Sequence, residues 1–215
     1  MEDKNGFTVM KDLQGYFKEG ERKAIYNAAE SYRDKVLIRL LWVTGRRINE
    51  VLRIKVSEID FELKAITIHV EKKTKKIKDE YGDKIKVKND LLSLSYIDEK
   101  TINILKHFII SNHLQSNDFI FKSEFNPVKP ITRQRAFAII RKASSNAGID
   151  KVGNRRPHPH HFRHSFAVDM ARKMKTPADV RKLQIAMDHS NLGVTEQYLK
   201  FADQEIREFI QDIGD

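Results

Sequence analysis

The sequence predicts a mainly α protein carrying a small antiparallel β-sheet, an α+β chain of 215 residues. Three observations predict it. Apolar residues recur at helical spacing before residue 60 and again through most of the chain after residue 97; strict alternation is confined to the stretch between 65 and 88; and Gly, Pro and Thr stand where helices stop and start. With 40% apolar residues the chain can fill one domain core of ordinary size.

The first helix signal is "DKVLIRLLWVTG", where Val36, Leu37, Leu40 and Leu41 share a face and Gly45 stands at the stop position. A second helix follows in "RRINEVLRI", with Ile48, Val51 and Leu52 as its stripe. That stripe puts Arg47 at its edge and Arg46 nearly opposite, so Arg47 is expected to be the more enclosed of the two. The segments "AITIHV" and "KIKVK" at 84 to 88 alternate, and are expected to be the two strands of the sheet, with "EKKTKKIKDEYGD" as a charged hairpin tip between them. Further helices are predicted in "TINILKHFII" and in "RQRAFAIIRKASSNAG", the latter stopped at Gly148, with "FKSEFNPVKPIT" connecting them. In "TPADVRKLQIAM", Thr176 caps, Pro177 takes the first helical position and Asp179 stands third. A short helix at "TEQYLKF" and a closing one at "DQEIREFIQDI" complete the pattern.

Forty Lys and Arg stand against thirty Asp and Glu, a net charge of +10 that attracts polyanions and makes nucleic acid the leading partner. Cysteine is absent, which excludes disulfides and thiolate metal sites. No run of apolar residues is long enough for a membrane span and the first ten residues have no signal-peptide pattern, so the expected location is the cytoplasm, at the nucleoid.

The stretch "HPHHFRHSF", residues 158 to 166, concentrates four histidines and one arginine. A metal site is the first reading to weigh. No HExxH is present, and Phe166 and Val168 separate the cluster from its nearest acid, Asp169. On a helix starting after Pro157 and Pro159, His160 and Arg163 share a face, Phe162 and Phe166 anchor the neighbouring one, and open backbone N–H groups favour an anion. A phosphate suits that arrangement; a surface helix with incidental basic residues is the competing reading.

"HPHHFRHSFA" resembles the second arginine box of the tyrosine recombinase (phage integrase) family: His, two residues, Arg, His, a small residue, Phe, Ala. "TGRRINEVLRI" resembles the first arginine box, whose arginine lies two residues after Gly and three before Glu, which selects Arg47. "DHSNLGVTEQYLKF" resembles the closing box, in which a His precedes the nucleophilic Tyr by nine residues, as His189 precedes Tyr198 here. The family's hairpin lysine, usually followed by Thr or Gly, matches Lys73, with Lys72 and Lys75 as rivals. Two local departures stand out: Asp188 replaces the usual Gly before His189, and the stretch from Arg163 to His189 is longer than is common.

The resemblance implies the tyrosine recombinase catalytic-domain fold over residues 15 to 203, after a lead-in segment at 1 to 14. It implies a C-terminal helix at 204 to 215, of the kind exchanged between protomers in the family, and the usual N-terminal core-binding domain would be absent from the chain. It implies a site-specific recombinase or integrase that breaks and rejoins double-stranded DNA through a 3′-phosphotyrosine bond, using neither ATP nor metal. Tyr198 would be the nucleophile, Arg47 and Arg163 the ligands of the scissile phosphate, Lys73 the acid for the leaving 5′-oxygen, and His160 and His189 proton or phosphate partners. The implied assembly is a homo-oligomer on DNA, two protomers per site and four in the synapse, with an accessory DNA-binding domain or protein. Type IB topoisomerase-like relaxation and a non-catalytic DNA-binding protein on the same fold are the alternatives.

Overall fold

The computed structural model describes residues 15–70, 75–78, 84–87, 91–174 and 176–187. Its helices are α1 (Glu19–Ala28), α2 (Tyr32–Thr44), α3 (Ile48–Leu52), α4 (Glu99–Ser111), α5 (Arg133–Asn146), α6 (Pro159–Lys173) and α7 (Pro177–Ala186). Its strands are β1 (Ile59–Asp60), β2 (Ala65–Val70), β3 (Lys75–Lys78), β4 (Lys84–Val87) and β5 (Leu91–Tyr96). The mainly helical architecture with a small antiparallel sheet is therefore as the sequence predicts. The short helix at "TEQYLKF" and the closing "DQEIREFIQDI" lie outside the described residues.

α2 is the centre of the core. Ser31 caps it, accepting the Asp34 N–H at 3.1 Å. Gly45 ends it in the left-handed conformation, φ 58°, with its N–H on the Leu41 carbonyl. Between those caps Val36, Leu37, Ile38, Leu40 and Leu41 are all buried, because α1, α4 and α6 pack around this one helix. Each such side chain stabilises the fold by roughly 1.5–3 kcal/mol on burial. Asp98 and Thr132 cap α4 and α5 in the same way, accepting the N–H of Thr101 and of Arg135. The backbone of α5 runs out just before Gly148, whose positive φ lets the chain turn away.

A second, smaller apolar cluster joins α6 to α7: Ala167, Val168, Ala171, Leu183 and Met187, flanked by Phe166, Met170 and Met174. α7 starts as the sequence predicts, with the Thr176 N–H donating to the Asp179 carboxylate at 3.1 Å and Pro177 at the first turn. Among the described residues no helix is long and apolar enough to cross a membrane.

The strand pairing corrects the sequence-based expectation. β2 does not pair with the strand near residue 84; it lies between β1 and β5, with Ala65 opposite Tyr96 and Val70 opposite Leu91. The 84–87 strand instead pairs with β3 in a separate two-stranded ladder. β5 escaped notice because its pattern is inverted. In "LLSLSY" the serines face inward, with Ser95 buried, while Leu92, Leu94 and Tyr96 are exposed. The inner face is polar because a guanidinium occupies it: Arg46 Nε donates to Ser95 Oγ and Nη2 to Ser93 Oγ, both at 2.8 Å. On the outer face Leu94 and Tyr96 border an apolar cavity of about 560 Å³, shared with Phe166, Met170 and Ile185.

Candidate active site

The site forms where the turn after α2 meets the start of α6. The Thr44 hydroxyl donates to the Leu40 carbonyl and accepts the Arg46 N–H, so the chain leaves α2 tightly and Arg46 and Arg47 project in different directions. The expectation that Arg47 is the enclosed one is overturned. Arg46 is 1% exposed and bound to β5, whereas the Arg47 side chain keeps 34% of its surface open. The helical-stripe argument failed because α3 begins only at Ile48, so neither arginine lies on a helical face. Arg47 is the cap residue before α3. Buried Glu50 holds it twice, accepting the Arg47 backbone N–H at 2.9 Å and Nη1 at 3.0 Å. Glu50 thus caps α3 and orients an accessible guanidinium in one stroke.

α6 begins at Pro159 with His158 as cap residue. The four histidines separate in role. His161 is buried, its ring stacked on His158 at 3.7 Å and edge-on to Phe17 at 5.5 Å, with Nδ1 accepting the His158 backbone N–H. Burial pushes His161 down to about 3 and His158 down to about 4, so both are neutral at pH 7. His160 keeps an exposed edge. The protein packed about it, and then the positive charges of Arg163, Arg133 and Arg47, hold its pKa below the ordinary histidine value. Among the described residues no three His, Asp or Glu side chains assemble as a metal-holding group.

Arg163 is buried, 6% exposed, and works as a clamp. Nη1 donates to the Gly45 carbonyl at 2.9 Å and Nη2 to the Met187 carbonyl at 2.6 Å. One side chain therefore joins the turn carrying Arg47, the helix carrying His160 and the end of α7, two residues before His189. Ser165 adds a second tie, donating to the His161 carbonyl and accepting the Phe17 N–H.

Three of the six site residues predicted from sequence, Arg47, His160 and Arg163, are thus brought to one place. Lys73, His189 and Tyr198 lie outside the described residues, as does Lys72; Lys75 opens β3, its backbone opposite Val87. Sequence reasoning missed Arg133, the first residue of α5, because nothing in the chain order signals that its charge reaches His160.

Residues 16–205 match the model of the phage integrase family. The chain belongs to the phage integrase family. Among curated relatives it is 28% identical over 203 residues to a tyrosine recombinase XerC of Staphylococcus aureus (strain MSSA476), covering 92% of this chain and 60% of that protein. The chain thus spans about 60% of the length of the curated relatives it matches. Among solved structures, the fold matches XerA recombinase with a TM-score of 0.70 at 22% identity, over 92% of this chain and 62% of that one. It also matches XerH site-specific recombinase bound to palindromic difH substrate in a post-cleavage complex, TM-score 0.70 at 21% identity, over 94% and 54% of the two chains. The family match spans all three boxes in which the sequence resembles tyrosine recombinases, and the fold likeness extends over the same domain.

Proposed function

We propose that this chain is the catalytic part of a tyrosine-type site-specific DNA recombinase, acting on double-stranded DNA through a 3′-phosphotyrosine intermediate. The observation that carries the reading is the meeting of Arg47, His160 and Arg163, three phosphate-suited groups drawn from two arginine boxes far apart in sequence, around a single clamp. DNA-bound relatives of the same fold, XerH on difH and lambda integrase on a COC' core site, add support.

Tyr198 would attack the scissile phosphorus through its phenolic oxygen, whose proton passes to His160 or His189. The P–O5′ bond breaks as the P–O(Tyr) bond forms, and the departing 5′-oxygen takes a proton from Lys73. Free tyrosine, with a pKa of about 10, is a poor nucleophile at neutral pH. Positive charge offsets this: guanidinium donors on the non-bridging oxygens stabilise the added charge of the pentacoordinate transition state. A neutral His160, held so by burial and its arginine neighbours, is free to accept a proton. Attack by a different 5′-hydroxyl then reverses the step and rejoins strands. Residues 15–203 would form the catalytic domain and 204–215 an exchangeable helix, with two protomers per site and four in a synapse.

The test is a library of nicked duplexes with randomised arms, incubated at low salt in EDTA and screened for SDS-stable protein–DNA adducts. Wild type is expected to enrich adducts on a defined sequence and Tyr198→Phe to form none. Adducts that persist in Tyr198→Phe would remove Tyr198 from the mechanism.

A further inference from the structure

We propose that Arg133 is a third phosphate-binding arginine of this site, holding the backbone phosphate next to the scissile one on the side where Phe137 of α5 faces His158 at the start of α6. The identity of its ligand rests on the recombinase reading above. Arg133 is exposed, and its guanidinium carbon lies 5.2 Å from the centre of the Phe137 ring one turn along α5. Phe137 in turn lies nearly parallel to His158, 6.3 Å between centres and 18° between planes, and His158 meets His160 edge-on at 6.1 Å. A line of ring contacts therefore runs from Arg133 into the site.

Arg133 differs from the other arginines of the site in how its donors are used. Arg163 gives one N–H of Nη1 and one of Nη2 to the Gly45 and Met187 carbonyls, Arg46 is bound to β5, and Arg47 gives Nη1 to Glu50 while the rest of its guanidinium stays accessible. Among the described residues Arg133 has only the Phe137 ring for a partner. A ring contact fixes the face of a guanidinium and leaves its N–H edge open, the presentation that matches a phosphate fork. The place is also right. Burial, and then the positive charges of Arg163, Arg133 and Arg47, lower the pKa of His160, so the charge of Arg133 reaches into the site. A duplex carries phosphates at a short regular repeat, so a cation just beyond the group that grips one phosphate meets its neighbour.

The test measures duplex affinity against salt for the full chain, for Arg133→Ala and Arg133→Lys, and for the control Lys64→Gln, whose ammonium pairs with Glu99 at 2.6 Å, each first checked for native helix content. One lost phosphate contact lowers the slope of log K against log salt by about 0.9. Arg133→Ala is expected to show that drop, while Arg133→Lys and the Lys64→Gln control keep the wild-type slope. On duplexes bearing one neutral methylphosphonate, the Arg133→Ala defect should vanish only when the neutral linkage neighbours the cleaved one. An unchanged slope in Arg133→Ala, or an affinity loss that follows base sequence and not phosphate neutralisation, would overturn the proposal. If wild type forms no covalent adduct yet Arg133→Ala still lowers the slope by about 0.9, the recombinase reading falls and the phosphate contact stands.

Discussion

Arg163 donates a hydrogen bond of 2.9 Å to the carbonyl of Gly45, across 118 residues of chain. Gly45 stands two residues before Arg47, so the arginine of one box sets the position of the arginine of the other. With its second donor on Met187, Arg163 is a structural as well as a chemical group. Arg163→Ala is expected to lower stability by about 3 kcal/mol or more, since charge-assisted hydrogen bonds contribute about 1.5–3 kcal/mol each and two carbonyls lose their donor. Arg163→Lys, a point charge able to serve one carbonyl, should fall between. Urea unfolding midpoints check this, and an unshifted midpoint in Arg163→Ala would contradict the clamp.

Gly45 answers to two constraints at once. Its φ of 58° suits glycine, and a Cβ there would lie 2.5 Å from Phe166 Cδ1. Gly45→Ala should cost about 1–2 kcal/mol for the left-handed backbone and about 1–3 kcal/mol for the overlap. The two parts separate in a double-mutant cycle: Phe166→Ala removes the 2.5 and 2.6 Å contacts with the ring and leaves one of 3.0 Å with Cβ, so most of the overlap goes while the backbone cost remains. Equal costs of Gly45→Ala in both backgrounds would show that Phe166 yields freely.

These two relationships mark where sequence reading worked and where it stopped. The end of α2 and the start of α7 were legible because their signals are local: Gly45, Thr176 and Pro177 act on the residues beside them, whereas the start of α3 at Ile48 was not. His160 and Arg163 were legible as a pair because α6 itself sets their spacing. Arg46 and β5 were not. Ser93 and Ser95 read as polar residues fit for solvent, and only a guanidinium arriving from the end of α2 explains why they face inward. Arg133 escaped for the same reason, since its neighbour His160 is local in space and not in sequence.

The stacked pair of His161, buried, and His158, half-buried, predicts a pH-dependent stability. His161 and His158 titrate near 3 and 4 in the folded state, against 6.5 for the free side chain. Their folded pKa values are depressed, so below 6.5 the unfolded chain binds more protons and gains relative stability as pH falls. Their contribution is fully present above about pH 6.5 and is lost progressively toward the folded values. It amounts to a few kcal/mol for His161, at about 1.4 kcal/mol per pKa unit. Protonation at Nδ1 would also remove the acceptor of the His158 N–H. Unfolding midpoints at pH 7.5 and 4.5 should therefore differ by less in His161→Phe than in wild type. An identical pH slope in the two proteins would place the acid sensitivity elsewhere.

Adjacent Arg46 and Arg47 should respond to mutation in opposite ways. Arg46 is enclosed and Ser95, 7% exposed, accepts its Nε, so Ser95→Val adds apolar surface to a strand and is still expected to destabilise by about 1.5–3 kcal/mol, because it strips a buried charged donor of its acceptor. Replacing the whole cluster removes that objection. Arg46→Met combined with Ser93→Val and Ser95→Val exchanges a buried cation and its partners for apolar groups, a change that is commonly neutral or stabilising. The triple variant should thus be more stable than Ser95→Val alone and should retain adduct formation, since Glu50, not Arg46, orients Arg47. Arg47→Met should fold and form no adduct. Loss of adduct in a stable triple variant would mean that Arg46 contributes charge to the reaction from inside the protein, and that the division of labour between the two arginines is wrong.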